Sequence, residues 1–279
     1  MQHKLNSGTS IPAIGLGTWR AQGDDVRAAV KHALEVGYRH IDTAVGYDNH
    51  RAVAQGIKDS SVPRKEVFLT TKIWNTAHTR VDAAEQIRKS LDELSTDYVD
   101  LLLIHWPWTY ERNAEVYGAM EDAVDEGTVR SIGVSNFHIH HLNALLETAR
   151  VKPVVNQVEC HIHLQNTRLQ EYLEQRGMRI EAYAPLKSDR VSEVLENETL
   201  INIGKEHGKT PAQVAIRWLV DRGIVVLPKS VNPNRIGQNF DVFDFSLSHD
   251  EMKAIRKLNR AHKTFPEPDN FDFGFLKFD

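Results

Sequence analysis

The sequence predicts an α/β fold, specifically a single (β/α)8 TIM barrel with an N-terminal β-hairpin, formed by residues 1–279 as one domain. Short apolar runs with β-branched residues alternate with longer amphipathic segments, as expected for βα units around a parallel sheet. The runs number eight, and no Pro-rich, Gly-rich or low-complexity linker separates them. Eight units within about 250 residues are typical of one closed barrel.

The predicted elements begin with a hairpin over residues 3–12. The eight predicted strands are 13–16, 38–42, 67–72, 98–105, 131–135, 154–159, 179–184 and 224–228. The clearest amphipathic helices are 25–36, 81–94, 115–126, 138–148 and 211–222. Glycine, the residue that best adopts the left-handed conformation closing a helix, precedes several strands, at Gly37, Gly127, Gly177 and Gly223.

An open, doubly wound sheet is the structural alternative. Its dinucleotide fingerprint is incomplete here, because Gly15 and Gly17 fit the first two glycines but Arg20 replaces the third. The closed barrel therefore remains the favoured prediction.

The composition narrows the functional classes. The chain has 41% hydrophobic and 26% charged residues, a net charge of -4 and a pI near 6.4, so we expect neither nucleic acid nor an anionic membrane as a partner. No apolar run reaches the roughly 20 residues of a membrane helix. A single cysteine, Cys160, excludes an internal disulfide and fits the cytoplasm. We expect a monomer.

Reactive side chains recur where the predicted strands end. Asp42, Tyr47, Lys72 and His105 lie at or just after the ends of the second, third and fourth strands. Barrel enzymes place their chemistry at this end. A neighbouring Lys72 cation would lower the pKa of the Tyr47 phenol toward neutrality, Asp42 would keep Lys72 charged, and His105 would direct a carbonyl oxygen toward the phenol.

An ordered series of motifs resembles the aldo-keto reductase family from end to end, particularly its bacterial 2,5-diketo-D-gluconate reductase-type members. The motifs are 15–19 (GLGTW), 37–44 (GYRHIDTA), 72–74 (KIW), 97–101 (DYVDL), 105–107 (HWP), 133–137 (GVSNF), 156–159 (NQVE) and 227–230 (LPKS). The resemblance implies a barrel that binds NADPH without a Rossmann domain. It also implies that Asp42, Tyr47, Lys72 and His105 are catalytic, and that the substrate is a small carbonyl compound.

The resemblance also implies a cofactor site. Ser135, Asn136 and Gln157 would hold the nicotinamide carboxamide, and Tyr183 would stack on the ring. The remaining contacts would come from Leu186 and Ser188 at the pyrophosphate, from Gln238 and Asn239 at the adenine, and from Lys229, Ser230 and Arg235. The residues themselves support the last group, because cations near a helix beginning around Pro233 suit the 2′-phosphate of NADPH.

Four tryptophans follow strand ends and would form an apolar mouth for the substrate: Trp19, Trp74, Trp106 and Trp108. Phe271, Phe273 and Phe275 in the tail would close it.

Two other functions stay open. One is a barrel aldolase with Lys72 as the Schiff-base nucleophile, and the other is a redox sensor that binds NADPH with weak catalysis. We expect no metal site, because the histidine-rich segments 138–141 and 160–163 are accompanied by only one thiol.

Overall fold

The computed structural model describes residues 1–270. Ten strands occur in this range: β1 Gln2–Lys4, β2 Ser10–Pro12, β3 Leu16–Gly17, β4 His40–Asp42, β5 Phe68–Ile73, β6 Leu101–Ile104, β7 Ile132–Ser135, β8 Val155–Glu159, β9 Arg179–Tyr183 and β10 Val225–Leu227. The α-helices of the same range are α1 Gly23–Val36, α2 His50–Asp59, α3 Arg80–Leu94, α4 Tyr110–Asp125, α5 Ile139–Thr148, α6 Thr167–Glu174, α7 Ser192–Leu195, α8 Glu198–His207, α9 Pro211–Asp221, α10 Pro233–Phe240 and α11 His249–Arg256.

Strands β3 to β10 form the predicted parallel barrel. Each pairs with its sequence neighbours, in the order β10-β9-β8-β7-β6-β5-β4-β3. Parallel bridges between Ile14 and Val226 and between Gly17 and Lys229 join the first and last strands. This closure confirms the predicted fold and excludes an open sheet.

The hairpin covers the N-terminal end of the barrel. Strands β1 and β2 pair antiparallel, as predicted, and Leu5 and Ile11 are buried in a core cluster with Phe68 and Leu101, which begin β5 and β6. A second, larger core lies between the strands and the surrounding helices. Because the N-terminal end is filled, the opposite end of the barrel is the one open to a ligand.

The helices differ most from the prediction. Helix α4 starts at Tyr110 rather than residue 115, because Thr109 caps it by accepting a hydrogen bond from the Arg112 backbone N–H. Helices α2 and α6 were not predicted from the sequence. No helix within residues 1–270 combines the length and the apolar character needed to span a membrane.

Candidate active site

A cavity of about 660 Å³ opens at the C-terminal ends of the barrel strands. Most of the predicted site residues line it: Trp19, Asp42, Tyr47, His105, Trp106, Ser135, Asn136, Gln157, Tyr183, Leu186, Ser188, Lys229, Ser230, Arg235, Gln238 and Asn239. Lys72, Trp74 and Trp108 are not among its lining residues. Residues from distant parts of the sequence therefore meet at one opening.

Tyr47 is carried by a 3-10 turn, Val45–Tyr47, directly after β4. Gly46 lets this turn lie on the Trp74 ring, since a Cβ there would be 2.9 Å from a ring carbon. Gln22 donates a 2.6 Å hydrogen bond to the Tyr47 carbonyl. The backbone around the phenol is thus fixed from two sides, and Trp74 supports the turn from outside the cavity.

Lys72 is completely buried behind Tyr47, near the end of β5. Its Nζ donates to Asp42 Oδ1 at 2.7 Å, to the Thr43 carbonyl at 2.9 Å and to the Tyr47 hydroxyl at 3.3 Å. These three acceptors use the full donor capacity of an ammonium group. The structure therefore brings the predicted Asp42, Tyr47 and Lys72 together as one hydrogen-bonded group.

The protonation of this group differs from the prediction in one respect. Burial alone would lower the pKa of Lys72, but Asp42 and Tyr47 outweigh burial and raise it. Burial raises the pKa of Tyr47, and the opposing effect of Lys72 is smaller. The expectation that Lys72 brings the phenol pKa below its ordinary value is therefore wrong for this structure, because desolvation was left out. Tyr47 is a fully protonated phenol at neutral pH.

His105 follows β6 and packs edge-on against both Tyr47 and Trp74, with ring centroids 5.4 and 5.1 Å away. Burial, and then the Lys72 charge, hold its pKa well below the ordinary histidine value. The imidazole is therefore neutral and able to donate one N–H at the cavity wall. Its Nδ1 atom is buried without a hydrogen-bond partner in the described structure.

A buried network behind Asp42 was not predicted. Gln157 Nε2 donates to Asp42 Oδ2 at 2.9 Å and to Glu181 Oε2 at 2.8 Å. Glu181 also lies 3.6 Å from His40 Nε2. Burial, followed by repulsion from Asp42, raises the pKa of Glu181 to about 8. Both amide hydrogens of Gln157 are used within the protein, which leaves its Oε1 atom for a ligand.

Ser135 and Asn136 are fixed where β7 ends. Ser135 Oγ donates to the Gln157 carbonyl at 2.9 Å, and Asn136 Nδ2 donates to the His105 carbonyl at 3.0 Å. The Tyr183 hydroxyl donates to Asn136 Oδ1 at 2.8 Å. Asn136 has a positive φ of 63°, a conformation that costs free energy in a residue other than glycine. Four predicted cofactor residues therefore form one connected wall.

The other end of the cavity is cationic. Lys229 follows β10, and Arg235 lies in the first turn of α10, where Asn232 accepts its backbone N–H. Neither side chain has an ion-pair partner among residues 1–270. Burial, and then repulsion from Arg235 and Arg20, lower the pKa of Lys229. An anionic group bound here would relieve that repulsion, which fits a nucleotide phosphate.

The structure narrows the predicted substrate mouth. Trp19 and Trp106 line the cavity, whereas Trp108 stacks on His78 at 5.9 Å and Trp74 lies behind His105. Two of the four predicted mouth tryptophans therefore line the cavity, since following a strand end does not decide where a ring points. The predicted closing residues Phe271, Phe273 and Phe275 lie outside the described residues.

Phe265 is a cavity residue that the sequence reasoning missed. Its ring packs edge-on against Trp19 at 5.4 Å and Tyr183 at 5.2 Å. The buried Glu159 carboxylate holds this segment by accepting the backbone N–H groups of Thr264 and Phe265. Glu159 belongs to a motif already noted at the end of β8, so the available signal was a carboxylate at the barrel rim.

A closed barrel that places the buried Tyr47 phenol at a cationic cavity large enough for a nucleotide is typical of a barrel oxidoreductase. Comparisons with known proteins give the family. The "Aldo/keto reductase family" model matches residues 13–260. The chain belongs to the aldo/keto reductase family, as the sequence motifs predicted.

Relatives are similar over nearly their whole length. The "9,11-endoperoxide prostaglandin H2 reductase" of Trypanosoma cruzi is 44% identical, covering 96% of this chain and 94% of that protein. The "Methylglyoxal reductase DkgA" of Escherichia coli K12 is 42% identical, covering 96% and 97%.

Solved structures agree. The aldo-keto reductase MGS-M4 from a Medee basin deep-sea metagenome library is 50% identical with a TM-score of 0.96, covering 98% of this chain and 100% of that one. A mutant of Gox0644 in complex with NADPH is 37% identical with a TM-score of 0.92, covering 98% and 99%.

Proposed function

We propose that this chain reduces aldehydes and ketones to alcohols with NADPH, with Tyr47 as the proton donor. The observation that carries the proposal is the Tyr47 hydroxyl, which lies in the cavity wall 3.3 Å from the Nζ of the buried Lys72. The substrates we propose are dicarbonyls such as methylglyoxal, sugar ketoacids and aryl aldehydes. The name of the E. coli relative supports the first of these classes.

The roles of the residues follow from their geometry. When bound, NADPH supplies the hydride. The neutral His105 orients the carbonyl oxygen by donating an N–H, and Tyr47 transfers its proton as negative charge develops on that oxygen. Lys72 stabilises the resulting phenolate, and Asp42 keeps Lys72 charged and in place.

The cofactor proposal assigns the connected wall of Ser135, Asn136, Gln157 and Tyr183 to the nicotinamide. We assign Lys229, Ser230 and Arg235 to the 2′-phosphate, because the cations of Lys229 and Arg235 have no carboxylate partners in the described chain. Leu186 and Ser188 would contact the pyrophosphate, and Gln238 and Asn239 the adenine. All of these residues line the same cavity.

The aldolase alternative is disfavoured by the state of Lys72. A Schiff base needs a neutral amine that reaches the substrate. The pKa of Lys72 is raised by Asp42 and Tyr47 against burial, its three donors are all used, and it lies behind the cavity wall.

Replacing the phenol tests the proposal. We expect Tyr47→Phe to lower kcat for methylglyoxal by about 10²–10⁴-fold while NADPH binding, followed by fluorescence, is unchanged. Tyr172→Phe is a matched control, because within residues 1–270 its hydroxyl donates only to Asn143 Oδ1, away from the cavity lining. Turnover of Tyr47→Phe at the wild-type rate would remove Tyr47 from this role.

A carbonyl panel separates the enzyme from a redox sensor. NADPH consumption is measured with sugar ketoacids, dicarbonyls and aryl aldehydes and ranked by kcat/KM, the ratio that measures discrimination. Tight NADPH binding without turnover of any member would favour the sensor.

We retain the predictions that residues 1–279 form one domain and that the chain is a monomer. Sedimentation velocity tests the second of these predictions.

A further inference from the structure

Three histidines and one aspartate converge outside the cavity. His138 precedes helix α5, His140 and His141 lie in its first turn, and Asp269 belongs to the C-terminal segment. One ligand atom from each residue lies within 4.8 Å of all the others. The segment 138–141 did not predict this site, because the fourth member lies 128 residues farther along the chain.

The distances are those of ligands around one ion. Asp269 Oδ2 lies 3.2 Å from His138 Nδ1, and Asp269 Oδ1 lies 3.1 Å from His140 Nε2. Two ligands of a tetrahedral ion with bonds of about 2.0–2.1 Å are roughly 3.3–3.4 Å apart. The two contacts of Asp269 are therefore compatible with a shared metal, and the ligand atoms of all four residues lie within 4.8 Å of one another.

A carboxylate outside the cluster lies beside His138. Glu267 Oε1 lies 2.8 Å from His138 Nε2, the ring nitrogen that does not face Asp269. A carboxylate behind a metal-binding histidine is the usual supporting contact of such sites. His138 Nδ1 forms a hydrogen bond with Asp269 Oδ2 at 3.2 Å, and a bound ion would take the place of the shared proton.

His141 has a different role in the cluster. Its Nδ1 accepts the backbone N–H of His138 at 3.1 Å, so the neutral ring carries its proton on Nε2. Nε2 lies 3.3 Å from Asp269 Oδ1. His141 therefore orients the carboxylate instead of presenting a lone pair.

We propose that His138 Nδ1, His140 Nε2 and the Asp269 carboxylate bind one divalent transition-metal ion of the zinc type, with water completing the coordination. Imidazole and carboxylate ligands suit Zn²⁺, Ni²⁺ and Co²⁺. The side chains of His138, His140 and Asp269 are 33%, 50% and 42% exposed, which gives the ion access from solvent.

Metal binding would fasten the C-terminal segment to the barrel. Asp269 follows Phe265 by four residues, and Phe265 lines the cavity. The ion would thus restrain the segment that covers the cavity, next to the loop that carries Ser135 and Asn136. This proposal does not depend on the reaction proposed above.

Calorimetric titration of the tag-free full chain with ZnCl₂ and NiCl₂ tests the site. We expect saturable one-to-one binding that His140→Gln and Asp269→Asn each weaken by at least about tenfold. His249→Gln, an exposed histidine of α11, is the matched control and binds as the wild type does. His141→Gln retains one-to-one binding, because its amide can still donate to Asp269.

Two further measurements are independent of affinity. Co²⁺ bound to the wild type gives visible absorption bands that His140→Gln abolishes, and zinc raises the hydrogen-exchange protection of residues 264–270. The proposal is overturned by the absence of saturable binding up to about 1 mM metal. It is also overturned if His140→Gln and Asp269→Asn bind as tightly as the control, or if only His141→Gln loses the metal.

Discussion

The two ends of the cavity differ in whether their charged side chains are paired. At the deep end, the charges of Lys72 and Asp42 meet at 2.7 Å, away from solvent, with every Lys72 donor used. At the outer end, Lys229 and Arg235 repel each other and have no carboxylate partner within residues 1–270. Lys72 and Asp42 are hydrogen-bonded without a ligand, whereas Lys229 and Arg235 would gain favourable interactions when an anion binds.

From this difference we expect the deep end to contribute to catalysis and the outer end to contribute to ligand binding. A buried group that is already hydrogen-bonded needs little reorganisation as charge develops in the transition state, so its removal is expected to affect kcat. Exposed cations without carboxylate partners in the described part of the chain contribute mainly to the affinity of a ligand that carries phosphate. Substitutions at each end can therefore test the distinction.

The largest effect is expected at Lys72. Lys72→Met leaves the Asp42 carboxylate buried without its cation, which costs about 3–5 kcal/mol of stability. It also removes the donor proposed to stabilise the Tyr47 phenolate, so we expect kcat/KM to fall by at least about 10³-fold. Urea unfolding and steady-state kinetics with methylglyoxal measure the two losses.

A double variant separates these effects. In Asp42→Asn/Lys72→Met no charge is left unpaired, so we expect stability to recover while activity stays low. Wild-type kcat/KM in a folded Lys72→Met enzyme would break the assignment of chemistry to the deep end.

A smaller and more selective effect is expected at Arg235. Arg235→Ala removes a charged donor proposed for the 2′-phosphate, so the Kd for NADPH should rise about 10–100-fold, while the Kd for NADH changes little. Arg168→Ala in α6 makes the same charge change at an exposed position and serves as the control. Equal weakening of NADPH and NADH would contradict the phosphate assignment.

The sequence predicted the parts of the site that local pattern and strand order determine. Asp42, Lys72 and His105 lie at or next to strand ends, and a closed barrel brings such positions to one rim. The direction of a side chain beyond a strand end depends on tertiary packing, so the sequence did not indicate that Trp74 and Trp108 are outside the cavity lining.

Contacts between distant segments were beyond sequence reasoning. Phe265 reaches the cavity because Glu159 accepts backbone N–H groups of the C-terminal segment. The same segment brings Asp269 to the histidines. The pKa of Tyr47 was misjudged because the pairing with Lys72 is readable from strand ends, whereas the extent of burial is not.

Glu181 tests the deep end through the pH dependence of stability, because its buried acid group is not paired with a cation within residues 1–270. Its carboxyl group is buried, has no cationic hydrogen-bond partner within residues 1–270 and has a pKa raised from 4.5 to about 8. Between these two pH values the folded chain binds a proton that the unfolded chain has released. Stability therefore falls as the pH rises toward 8. His40, with a pKa lowered to about 3 by burial, changes stability only at or below pH 6.5.

Glu181→Gln keeps the uncharged shape of the protonated side chain and removes its titration. Because one pH unit of linkage corresponds to about 1.4 kcal/mol, wild-type stability should fall by about 2 kcal/mol relative to the variant between about pH 6.5 and 8. Urea unfolding at both pH values measures the difference. Parallel stability curves would mean that Glu181 is already ionised at neutral pH, and that the deep end tolerates a second anion beside Asp42.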